Sequence, residues 1–223
     1  MRAILTFLAF TIAAFAHGQH ISWGLAGRVG VVATNTSAEK PIYARVSGTD
    51  YDYKPGLQVG AGVWAAIPAG NRGALQFMLQ PTVSRQHAGE IHVLDQNRNS
   101  MADAKSVNFS VATGISGVYL HHLSSQVAVG AGVGAHLLLF TKTKVYLDGA
   151  LFYGGKDVIE SYDNHTYRRL PVYLPLELQV KLTEKLALVG QFQVGVSNRL
   201  AAAETAFKER DLALQIGLNY SMR

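Results

Sequence analysis

Three sets of side chains in this chain could do chemistry. Arg28 and Glu177 are the two charged residues that fall in the interiors of its alternating segments. Their parity places both on the side away from the apolar face, where they could pair, hold a bore shut or line a conducting path. An ionised group removed from water needs a partner or a water molecule, because an unpaired buried charge is costly. The preferred reading is structural, a polar plug formed by Arg28 and Glu177 with Gln58, Gln76 and Gln191; the alternative is a gated or narrow conduction path. His121, His122 and Ser124 form the second set, since a lipid-modifying barrel hydrolase can pair His with Ser on its outer wall. Here they have no acidic neighbour in sequence to orient a base, and they fall in a short turn, so a non-enzymatic chain is expected. The third set is the remaining histidines. His136 has inward parity and is read as a hydrogen-bonded interior residue, while His87, His92 and His165 have no spacing that fixes zinc. Neither a metal nor a cofactor is expected.

The elements that must position these residues are strands. Apolar and polar residues alternate at roughly 22–33, 56–67, 74–85, 106–120, 126–140, 171–182, 186–198 and 211–221. Between Leu75 and Ser84, for example, Leu75, Phe77, Leu79, Pro81 and Val83 take one face, and Gln76, Met78, Gln80, Thr82 and Ser84 the other. Period two is the signature of a β-strand. The connections at 34–55, 86–105 and 141–170 are long, those at 68–73, 121–125 and 183–185 are short, and that at 199–210 is intermediate. Short turns at one end and longer loops at the other describe an all-β, eight-stranded antiparallel up-and-down transmembrane barrel with both termini on the periplasmic side. Residues 143–153 alternate through Val145, Leu147, Gly149 and Leu151, and are read as an extension standing above the membrane. The alternative is a ten-stranded barrel.

The content of the second face separates this pattern from that of a water-soluble barrel. The chain holds 20 Lys and Arg and 15 Asp and Glu, yet they gather in loops and turns and at strand ends. The second face carries Gly24, Ala26, Gly30, Gln58, Gly60, Gly62, Asn108, Ser110, Gly114, Ser116, Gly130, Gly132, Gly134, Gln179, Gln191, Gln193, Gln215 and Asn219. Small and neutral polar groups suit the narrow interior of eight strands. The first face runs without a charge through Leu57, Val59, Ala61 and Val63, through Val107, Phe109, Val111 and Ile115, and through Leu212, Leu214, Ile216 and Leu218. Lipid favours such a face, because an outward Lys or Arg at the midplane costs about 2–4 kcal/mol. Trp23 opens the first strand, Tyr119 closes the fourth and Tyr220 closes the eighth, which puts three amphipathic rings at the periplasmic interface. Trp64, by contrast, has inward parity.

Residues 1–18 read as a cleaved export signal, with Arg2, an apolar run from Ala3 to Phe15, and small residues at Ala14 and Ala16. Residues 19–223 then form one barrel domain in the outer membrane. The absence of cysteine is compatible with export but does not require it. The formal charge of +5, or 5 − 1 = +4 without Arg2, is dispersed and makes no basic stripe, so nucleic acid is set aside as a partner. Expected partners are outer-membrane lipid and the barrel-assembly machinery. For the latter, Gln215, Gly217, Tyr220 and Met222 loosely match the C-terminal assembly pattern of outer-membrane barrels, although Arg223 ends the chain. Seven of the ten tyrosines, Tyr43, Tyr51, Tyr53, Tyr146, Tyr153, Tyr162 and Tyr167, fall in the external loops. They could bind a protein or glycan ligand, or could pack the loops together.

The glycine-spaced first strand Gly24-Leu-Ala-Gly27-Arg-Val-Gly30 and the hairpin Gly56-Leu-Gln-Val-Gly60-Ala-Gly62 through Ile67-Pro68 to Leu75-Gln76-Phe77 and Leu79-Gln80-Pro81 resemble the PorT-like outer-membrane β-barrel family of Bacteroidetes. Val129-Gly130-Ala-Gly132 with Leu137 to Leu139 is a weaker echo. The resemblance covers nearly the whole mature chain and implies an eight-stranded barrel in the outer membrane. One member of the family is required for type IX protein secretion, but no motif here identifies that role. The fourth strand departs from the family pattern, lacking an aromatic-rich segment before a proline.

Overall fold

The computed structural model describes residues 21–38, 54–94, 100–149, 157–161, 168–199 and 207–222. Their nine strands are β1 (Ser22–Ala38), β2 (Lys54–Pro68), β3 (Gly73–Leu94), β4 (Ser100–His122), β5 (Val127–Gly149), β6 (Asp157–Ser161), β7 (Val172–Lys181), β8 (Leu186–Gly195) and β9 (Phe207–Ser221). Eight of them close on themselves. Successive antiparallel pairings run from β1 through β5, then through β7 and β8 to β9, which pairs back on β1 from Gly24↔Ser221 to Ala38↔Phe207. Closure leaves no sheet edge around the barrel, so the ladders satisfy the backbone. β6 pairs with β5 alone, at Thr143↔Ser161 through Leu147↔Asp157. It is five residues long, so the stretch after residue 143 extends a strand, as the eight-stranded reading expects, and the ten-stranded alternative fails.

Alternation sets the two faces. On β1, Gly24, Ala26 and Arg28 are buried while Trp23, Leu25, Val29 and Val31 are exposed. The same division holds on β9, where Ala213, Gln215 and Asn219 are buried and Leu212, Leu214, Ile216, Leu218 and Tyr220 are exposed. Outward residues from Trp23 to Val31 are eight steps apart, about 26 Å of strand and about 20 Å along the axis at a tilt near 40°. Among the described residues, outward charges lie where strands leave the belt toward the loops, as at Arg85, Lys142 and Arg210, while Lys181, in step with Glu177 and Gln179, lines the bore.

Two connections differ from the expectation. Residues 86–105, expected as a long loop, are mostly strand: β3 and β4 stay paired through His87↔Val107, Glu90↔Lys105 and His92↔Asp103 as far as Leu94↔Ser100. Polar residues at both parities end the apolar alternation there without ending the ladder. The connection at 34–55 likewise shortens, since β1 continues to Ala38. The ladder between β5 and β7 breaks between Ala131↔Leu176 and Gly134↔Tyr173, where Pro175 has no N–H to donate. Along β5 a bulge opposite Val111/Ala112 leaves Leu139 and Phe140 both facing outward, and parity inverts so that Thr141 points in.

The three short turns and both strand termini, Ser22 and Ser221, lie at one end. Two of these turns repeat one design. Leu123 N–H donates to Val127 O and Leu182 N–H to Leu186 O. Ser124 Oγ accepts from the N–H groups of Gln126 and Val127, and Thr183 Oγ1 from those of Lys185 and Leu186. At the first turn Gly70 supplies the positive φ of 73°.

Candidate functional site

The site is the bore. Arg28 from β1 and Glu177 from β7 approach to 3.7 Å with side chains almost wholly enclosed. Strands β1 and β7 are not neighbours, so the pair is made across the interior. Glu177 is held mainly by amides: Gln191 donates to its Oε1 and Gln179 to its Oε2. Gln179 also donates to Gln76 Oε1 on β3 at 3.0 Å, a second bridge across the barrel. Gln193 donates to Gln191 Oε1 at 2.7 Å, and His136 Nε2 lies 3.3 Å from Gln193 Oε1 with its ring stacked on Tyr173 at 4.4 Å. Beside this chain Gln215 donates to Gln58 Oε1 at 2.9 Å. Arg28, Glu177, Gln58, Gln76 and Gln191 therefore all sit inside, buried; Arg28, Glu177, Gln76 and Gln191 are joined through Gln179 and Gln193, and Gln58 pairs with Gln215.

A second cluster lies toward the loop end. Arg199 donates from one NH1 to Gln86 Oε1, Asp211 Oδ1 and Thr34 Oγ1, and Thr34 in turn donates to Asp211 at 2.6 Å. In the sequence Asp211 stands at the start of the last alternating segment and Arg199 in the connection before it. The available signal was the inward parity of Asp211 with Ala213 and Gln215; nothing local marks Arg199. Nor is the interior as polar as the alternation suggests: Met78, Val118, Leu120, Tyr173 and Val189 are buried there too.

Two cavities flank the layer. The one at the short-turn end, about 390 Å³, is lined by Trp64, Gln76, Leu120, Gln179, Ala187 and Asn219 among others. The one at the loop end, about 70 Å³, is lined by Gln58, Thr82, His136, Tyr173, Gln193 and Ala213 among others. Trp64 faces inward as its parity requires, and its indole N–H donates to Leu25 O at 3.2 Å.

The other sequence candidates are dispersed. Trp23, Tyr119 and Tyr220 are 46%, 47% and 43% exposed on the outer wall at the short-turn end. Ser124 spends its hydroxyl on its own turn, with His121 and His122 exposed nearby. His87 is exposed on β3. Among the described residues no group of three or more His, Cys, Asp or Glu could hold a metal ion. The leader 1–18, His165 and the tyrosines at 43, 51, 53, 153, 162 and 167 lie outside the described residues, as do the side chains of Tyr146 and His92.

No protein-family model matches the chain. No curated protein matches it significantly. Solved structures that resemble it include the outer membrane protein OprG from Pseudomonas aeruginosa, 12% identical with a TM-score of 0.43, covering 92% of this chain and 97% of that one. Neisserial surface protein A is 12% identical with a TM-score of 0.40, covering 90% and 98%. Ail, the attachment invasion locus protein of Yersinia pestis, solved in complex with the heparin analogue sucrose octasulfate, is 10% identical with a TM-score of 0.37, covering 89% and 99%. The chain is similar to these proteins in fold, and its own interior carries a buried layer of amides and one ion pair.

Proposed function

We propose that this chain is an outer-membrane barrel with a filled interior that serves the envelope as a structural or interaction protein, acting through the loops at its far end. The observation that carries this reading is the pairing of an uninterrupted apolar exterior with a bore closed by the Arg28–Glu177 layer. The belt approaches the height of about 25 Å that the apolar band of an outer-membrane barrel has, and outward side chains that water would not favour are at home against lipid. Trp23, Tyr119 and Tyr220 are its interfacial rings on the periplasmic side, and export requires cleavage of the leader at 1–18. Assembly machinery engages the last strand, and a protein or glycan is the ligand class for the tyrosine-bearing loops. The chain is not an enzyme: Ser124 is committed to a turn, which leaves its hydroxyl poorly placed as a nucleophile. PorT-like membership is part of this proposal and rests on the glycine-spaced β1 and the β2–β3 hairpin.

Crosslinking in native envelopes, followed by identification of the captured partners, tests the interaction role; recovery of lipid alone would count against it. Planar-bilayer recording of refolded protein tests the filled interior. No single-channel steps are expected, and clear steps altered by Glu177→Gln would reject the plug.

A further inference from the structure

The larger cavity is written into the sequence. Around Arg28 and Glu177 the inward positions carry long amides, but toward the short turns four strands carry alanine instead: Ala66 on β2, Ala74 on β3, Ala128 on β5 and Ala187 on β8. The register sets Ala66 beside Gln76, Ala128 beside Gln179, and Ala187 between Lys181 and Asn219. Four short side chains leave a chamber of about 390 Å³, inside the span of about 300–1,000 Å³ in which small-molecule sites fall. Its floor includes Gln76 and Gln179, whose amides are bonded to each other at 3.0 Å. Its mouth lies among Ser125, Gln126, Thr183, Glu184 and Lys185, all exposed turn residues.

The lining is polarised. Trp64, Leu120, Val127 and Leu186 join the alanines as apolar wall. The Trp64 indole is fixed by its N–H on Leu25 O, and its ring lies against β1, where a Cβ on Gly24 would come within 3.0 Å of Cε2. Strand β7 stands four places from β2 round the eight strands, and so faces it across the bore. The inward series of β7, Tyr173, Pro175, Glu177 and Gln179, ends in Lys181 at the chamber mouth. Neither interior ion pair, Arg28–Glu177 or Arg199–Asp211, engages that lysine. Lys185 and His122 stand with it at the rim, against the single acid Glu184.

Trp64 lies four residues inside the end of β2 at Pro68, whereas Lys181 is the last residue of β7. The chamber therefore runs from an indole within to ammonium groups at its opening. A cation would meet like charge there, and a neutral apolar molecule would leave the lysine unused. A compact apolar body with one negative group matches both ends. We propose that the chamber binds a small amphipathic carboxylate, apolar end first, with its acid group at Lys181. This site lies at the opposite end of the barrel from the loops and is independent of their role.

The test is a titration of the refolded protein in phospholipid bicelles with phenylacetate and with phenylacetamide, its uncharged counterpart of the same shape. Emission is read in a Trp23→Phe background, where Trp64 is the one remaining tryptophan. Phenylacetate is expected to change that emission saturably in the millimolar range, and phenylacetamide to bind about fivefold more weakly, the worth of a partly solvated ion pair. Lys181→Met is expected to weaken the acid to the level of the amide and to leave the amide unchanged. Ala128→Leu and Ala187→Leu, which fill the chamber, are expected to abolish both responses; each variant must first show the compact, heat-modifiable mobility of the folded barrel. The proposal is overturned by the absence of a saturable response to phenylacetate, by equal binding of acid and amide, by a preference for the acid that survives Lys181→Met, or by responses that folded chamber-filling variants leave unchanged. None of these failures would touch the closed bore or the loop-end role.

Discussion

Glu177 is where the interior is most exposed to a single change. Its two oxygens take amide donors from Gln191 and Gln179, and its charge faces the Arg28 guanidinium at 3.7 Å. Glu177→Gln keeps the shape and removes the charge, leaving a guanidinium enclosed with no counter-ion. Breaking one side of a buried pair costs about 3–5 kcal/mol, whereas removing both charges is far cheaper. Reversible urea unfolding from phospholipid vesicles should show that loss in Glu177→Gln, and Arg28→Met/Glu177→Gln should recover most of it. A single variant as stable as the wild type would mean that the two charges are uncoupled. These two residues were legible in the sequence because a charge in the interior of an alternating segment is conspicuous and its parity gives its direction. The Arg199 cluster was not, because Arg199 follows β8 in a connection and its partners Thr34, Gln86 and Asp211 come from three separate strands. Which of their side chains converge depends on barrel stagger, and no local pattern records stagger.

At the scale of elements, the strands were readable only while one face was greasy. Within the belt the alternation located all eight to within a few residues, and the short turns fell where expected. Beyond the belt β3, β4 and β5 run on to total lengths of 22, 23 and 23 residues, through sequence that no longer alternates, so periodicity could not find their ends. The turns carry a signal of their own. Leu123-Ser124-Ser125-Gln126-Val127 and Leu182-Thr183-Glu184-Lys185-Leu186 place a hydroxyl at the same step, and each hydroxyl accepts from the two N–H groups that close its turn. Ser124→Ala and Thr183→Ala should each cost about 1 kcal/mol, the net worth of an ordinary hydrogen bond. The same unfolding measurement should leave His121→Ala within about 0.5 kcal/mol of wild type, as for a surface position. If Ser124 served chemistry instead of the turn, its replacement would leave stability unchanged and abolish turnover of labelled outer-membrane lipid.

For the molecule as a whole, closure of β9 on β1 decides which side of every strand is the outside, and what the outside touches decides where the barrel can reside. Ile216 pairs with Val29 midway along the belt, and Tyr220 pairs with Leu25 near its short-turn rim; both side chains point outward. Their surroundings in the protein are alike, so a cation at either tests the solvent and not the packing. Against hydrocarbon, Ile216→Arg should cost about 2–4 kcal/mol, while Tyr220→Arg, at the depth where headgroups and water begin, should cost about 0–1 kcal/mol. In a barrel built for water both would fall within about 0.5 kcal/mol of wild type, because surface substitutions there are nearly neutral. Unfolding of the two variants from phospholipid vesicles therefore reads the depth dependence directly. A steep difference between them places the belt in lipid with Ile216 near its middle, and equal, small effects would remove the membrane from the account of this fold.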